Sequence, residues 1–81
     1  MEMSAEKTNS GALQIIVASN LKDKRLRLGL SQEQLAAICG YHRTYIGSVE
    51  RGERNITLST LEALATALNI DPRELLQPKN V

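Results

Sequence analysis

Apolar residues recur at helical spacing along the chain, and no stretch reads as a strand, a repeat or a low-complexity segment. Residues 1–10 are polar and aperiodic, which predicts a mobile tail. Leu13, Val17, Leu21 and Leu28 then fall on one helical face, and Gly29 supplies a stop. A second helix is predicted to start after Ser31, whose hydroxyl caps it, with Gln34 three residues on to complete a capping box. Leu35, Ile38 and Cys39 mark its inner face, and Gly40 ends it. A third helix runs from about His42 to Arg51 and stops at Gly52. Thr57 caps a fourth helix, which buries Leu61, Leu64, Ala65 and Leu68. The run Asp71-Pro72-Arg73-Glu74-Leu75-Leu76 has a cap, a Pro at the first turn and a second capping box, so it predicts a short fifth helix ending at Pro78.

The stretch SQEQLAAICGYHRTYIGSVERG, Ser31 to Gly52, departs from a plain core pattern. Two helices joined by a tight Gly turn are the layout of a helix-turn-helix. Ala36 is small where the two helices cross, and Ile46 and Val49 face inward. The helical period places Ile46, Val49, Glu50 and Glu53 on one side of the second of these helices. Thr44, Gly47, Ser48 and Arg51 fall on the other, with Arg43 at the leading end. That outer set holds two cations, two hydroxyls and no acid, which suits a polyanion.

Composition sharpens the picture. Eighty-one residues make one small domain, residues 11–78, and the absence of Phe and Trp leaves a core of Leu, Ile, Ala and Val, as in packed helices. A single Cys excludes an intramolecular disulfide. No apolar run approaches the ~18 residues of a membrane span, and the N-terminus lacks the order of a signal peptide. The expectation is a soluble cytoplasmic protein with no metal, cofactor or small-molecule ligand. Nothing resembles a nucleophile–base pair or a phosphate loop, so an enzyme has no support. Net charge is only +1, yet residues 22–54 hold seven Lys/Arg against four Asp/Glu. The basic excess surrounds the two-helix stretch.

Here the sequence resembles the Cro/cI-type helix-turn-helix regulators. KDKRLRLGLSQEQLA is similar to the first two helices of phage repressors, and HRTYIGSVERGERNITLSTLEALATAL to controller proteins of restriction–modification systems. Two positions depart from the family pattern: Tyr41 replaces a small aliphatic after the turn Gly, and His42 replaces a common N-cap. The resemblance implies an all-α, five-helix, lambda-repressor-like fold. It also implies a homodimer that reads an inverted repeat in double-stranded DNA, with one or two dimers per operator. Phage-type repressor and antitoxin autorepressor are alternatives in the same class; a protein-interaction module on the same fold is the alternative in another.

Roles follow by position. Arg43 matches the guanine O6/N7 acceptor pair, and Thr44 offers a methyl and a hydroxyl to a base edge. Gly47 permits close approach at a third reading position. Tyr45 packs on the second helix or reaches a sugar–phosphate, while Ser48 and Arg51 face the DNA backbone. By resemblance, Gln32 bonds a phosphate, and Arg54 and Asn55 contact the backbone from the following loop. Arg25 and Glu50 both fall on apolar faces, so each needs an opposite charge; the expectation is that they pair. Leu68, Ile70, Leu75 and Leu76 are expected to form the dimer surface. His42 reads as a helix-start residue and Cys39 as a small buried hydrophobe.

Overall fold

The computed structural model describes residues 11–79; the predicted mobile tail, residues 1–10, lies outside them. Four α-helices and one 3-10 turn follow in order: α1 Ala12–Arg27, α2 Gln32–Cys39, α3 Arg43–Glu50, α4 Leu58–Leu68, and the turn Pro72–Leu75. Among the described residues the fold is all-helical, and no helix is long and apolar enough to cross a membrane.

The helix starts are fixed by side chains. Ser31 Oγ accepts from the Gln34 backbone N–H at 3.0 Å, and Gln34 Oε1 accepts from the Ser31 N–H at 2.8 Å, so both halves of the capping box are made. Thr57 Oγ1 accepts from the Thr60 N–H at 3.1 Å and opens α4. Gly40 has φ 79°, a left-handed value, and this lets the chain reverse between α2 and α3 without strain. His42 sits at the N-cap of α3 without making a side-chain cap.

The predicted fifth helix is shorter and tighter than expected. Asp71, Pro72 and Glu74 make the anticipated cap and capping box, but only one 3-10 turn of four residues follows. A segment that short closes i to i+3 bonds and has no length over which α-helical bonds could propagate.

The side chains of Leu21, Leu35, Ile46, Leu64, Leu68 and Leu75 are fully buried and form one core. Each contributes about 1.5–3 kcal/mol by leaving water. α3 packs against both α1 and α2, α4 packs on α2, and the 3-10 turn closes over α1 and α4. Buried Ala36 lets α2 approach closely. Three expected core residues lie outside it. Leu13 and Leu28, near the ends of α1, and Ile38 on α2 are exposed. The buried positions of α1 run from Val17 to Arg25, which leaves Leu13 and Leu28 outside them.

One buried polar residue ties the ends of the domain together. Asn20, in the middle of α1, donates its amide to the carbonyls of Leu75 at 3.0 Å and Gln77 at 2.7 Å. Lys24, one turn on, pairs with Glu74 at 3.3 Å. The 3-10 turn is therefore clamped to the first helix by its backbone as well as by Leu75.

Candidate nucleic-acid interface

The outer edge of α3 begins with Arg43 and Thr44, both exposed. Six arginines occur in the chain, and five have polar partners in the fold. Arg25 pairs with Glu50, Arg27 with Asp23, Arg51 with Glu53 and Arg73 with Asp71, while Arg54 donates to Ser48 Oγ at 3.0 Å. Arg43 has no such partner among the described residues. It stands at the first position of a helix, where the macrodipole mildly disfavours a cation. An unpaired guanidinium there is available to an external anion or acceptor pair.

Beneath this edge lies a buried charge network. Arg25 donates Nε to Glu50 Oε2 at 2.6 Å and Nη2 to Oε1 at 2.9 Å, a two-bonded fork. Its Nη1 donates to the Leu30 carbonyl at 2.7 Å. Glu50 Oε1 also accepts from Gln32 Nε2 at 3.1 Å. The hydrogen bond to Glu50 raises the Arg25 pKa above its ordinary value against the opposing effect of burial. The Arg25–Glu50 pair thus locks α1, the loop after it, the first residue of α2 and the last of α3.

Gln32 and Arg51 close over Gly47. A Cβ built there would sit 3.3 Å from Arg51 Nη1 and 3.5 Å from Gln32 Oε1. Arg51 grips Glu53 through Nε at 2.9 Å and Nη2 at 3.1 Å. The Arg51 hydrogen bond holds the Glu53 carboxyl below its usual range, so Glu53 is ionised at neutral pH. On the neighbouring side, the Tyr41 and Tyr45 rings pack with centroids 5.0 Å apart, and the Arg54 guanidinium lies 5.4 Å above the Tyr45 ring.

The helix-turn-helix family model matches residues 21–75, from the buried half of α1 to the end of the 3-10 turn. The chain belongs to the helix-turn-helix family. This family member is 62% identical over 61 residues to control protein C.SmaI of Serratia marcescens, across 75% of this chain and 73% of that protein. Its fold matches the restriction–modification controller protein C.AhdI from Aeromonas hydrophila with a TM-score of 0.78 and 46% identity, across 83% of this chain and 97% of that one. It also matches C.Esp1396I, solved as a tetramer in complex with its natural 35 base-pair operator, with a TM-score of 0.71 and 32% identity, across 82% of this chain and 97% of that one. The helix-turn-helix protein is a transcriptional regulator related to restriction–modification controllers, and not an enzyme.

Against the helical-wheel reading, this helix-turn-helix unit differs in three places. Gly47 is buried beneath Gln32 and Arg51, so it offers no open reading surface. Ser48 is buried too: its hydroxyl donates to the Tyr45 carbonyl at 2.7 Å and accepts from Arg54. Glu53, assigned to the far side, comes back against Arg51. Glu53 lies beyond the expected stop at Gly52, so the helical period does not place it: Gly52 turns the chain with φ 76°. Tyr45 is half-buried between Tyr41 and Arg54, and Asn55 is exposed beside them. Cys39 is half-buried and donates Sγ–H to the Leu35 carbonyl at 3.1 Å, and burial pushes its thiol pKa up.

Proposed function

We infer that this regulator binds an inverted-repeat operator as a homodimer, one α3 per major groove, and controls its own gene and that of a companion endonuclease in the cytoplasm. Arg43 beside exposed Thr44 carries the reading: among the described residues it is the one arginine with no polar partner. Gln32, Arg51, Arg54 and Asn55 ring that edge with donors suited to phosphates. The likeness to C.SmaI and C.AhdI supports the controller assignment. The operator-bound tetramer of C.Esp1396I supports two dimers on one operator. Residues 11–78 serve as the DNA-binding and dimerisation unit.

The test is binding to a duplex taken from upstream of the regulator's own gene, beside a scrambled duplex, over a series of salt concentrations. Specific sites should bind at least ~10³-fold more tightly. No preference even at low salt would sink the reading.

The dimer surface needs a correction. Leu68 and Leu75 are buried in the core of the single chain and cannot also face a partner. A core without Phe or Trp draws on these leucines to fill its volume. Of the expected set, Leu76 is 36% exposed and Ile70 half-buried. Leu76, exposed Leu13 and Leu58, which is 81% exposed, line an apolar groove of about 150 Å³ that also includes Ile56. This groove is the surface we assign to the partner copy. Leu58→Glu should raise the dimer dissociation constant at least ~10-fold, since it places an unpaired charge in an apolar contact. An acid suits the first turn of α4, so the fold should hold. Sedimentation together with circular dichroism reads both effects; an unchanged dimer would move the interface elsewhere.

A further inference from the structure

We propose that Glu53 is a built-in competitor for Arg51, the phosphate-facing arginine at the C-terminal end of α3, setting how tightly the regulator holds any DNA. The inference rests on the operator-binding function proposed above. Arg51 presents its Nε–Nη2 fork to both carboxylate oxygens of Glu53, at 2.9 and 3.1 Å. That two-bonded grip is the one a guanidinium offers a phosphate. The remaining nitrogen, Nη1, lies over Gly47 beside the Gln32 amide. The guanidinium therefore sits with another polar donor over the one α3 residue that has no side chain of its own, and its fork is already occupied.

The occupant is held loosely. The Arg51 and Glu53 side chains are 59% and 55% exposed, and an exposed ion pair contributes little to stability and exchanges readily. A phosphate can displace Glu53, but the regulator then loses the internal pair and brings an acid close to the DNA. Among the described residues Arg43 bears no such charge partner, and it keeps its full strength for bases. The consequence is a general lowering of affinity that leaves discrimination between sequences untouched. Binding then depends on the amount of regulator present, which suits a protein that acts at its own promoter.

The decisive experiment measures binding to operator and scrambled duplexes at several salt concentrations for wild type, Glu53→Gln, Arg51→Ala and the double variant. Glu53→Gln should tighten both duplexes by a similar factor, roughly three- to tenfold at low salt, and steepen the slope of log K against log salt by about 0.9. In the Arg51→Ala background the same substitution should gain less than half of that on a logarithmic scale, because no occupied fork remains to be released. Two results overturn the proposal: no gain from Glu53→Gln, or an equal gain in both backgrounds, which would mark a mere change in net charge. Wild type that binds the operator while either of these holds leaves the regulator function standing. Wild type that binds no duplex removes both.

Discussion

Glu50→Ala should destabilise the folded domain by about 3–5 kcal/mol. The Arg25 and Glu50 side chains are only 8% and 3% exposed. Removing the carboxylate deletes both forks of the Arg25 bond and leaves a guanidinium that cannot deprotonate facing one backbone carbonyl. It also frees Gln32 from the acceptor that holds it over Gly47. Small domains hold about 5–15 kcal/mol in all, so much of the stability would go. The melting temperature should fall by roughly 12–40 °C, at about 4–8 °C per kcal/mol for a domain of this size. Glu50→Gln should cost less, because one oxygen still accepts. Replacing both partners together, Arg25→Met with Glu50→Leu, should recover most of the loss. Urea and thermal unfolding of the four proteins decide the matter. A cost for Glu50→Ala below about 1 kcal/mol would mean that water reaches the pair.

Arg43→Ala is expected to have the largest effect on function while leaving the fold unharmed. The side chain is exposed at the first turn of α3, where a cation gains nothing from the macrodipole, so thermal stability should not fall. A lost bidentate contact to guanine costs about 1–3 kcal/mol, roughly 5- to 150-fold on the operator. Binding to scrambled DNA should fall far less. Arg43→Lys should keep the salt dependence and lose most of the discrimination, since an ammonium is a point charge without the planar fork. Gln32→Ala gives the contrast: operator and scrambled duplex should weaken together. Equal losses on both duplexes for Arg43→Ala would reassign Arg43 to the phosphate backbone.

Much of this architecture was legible in local chemistry. Ser31 with Gln34, Thr57, and Asp71 with Glu74 name their helix starts, because a cap satisfies backbone donors within a few residues and needs no distant partner. All four predicted core residues of α4 are buried, since that helix is packed along its length. Arg25 and Glu50 revealed each other through their places on apolar faces. The failures arise where a distant segment decides. Periodicity gave α1 one continuous face but could not say that Leu13 and Leu28, at its two ends, stay exposed. Ser48 looked open on the wheel, and only the loop carrying Arg54 covers it. Leu75 looked surplus until the volume of a core without large aromatics claimed it.

The Asn20 clamp bears on when this protein can fold during its synthesis. Most of the contacts between α2 and α3 join residues close in sequence, so the two can meet as soon as both have left the ribosome. Asn20 must wait for the carbonyls of Leu75 and Gln77, more than fifty positions later. Until then its amide and the cavity that Leu75 fills are open to water, and loop closure of that length is among the slowest steps for a small chain. The nascent recognition helix therefore stays on an unfinished scaffold until translation has passed residue 77, and a chain released early carries the motif without the fold that aims it.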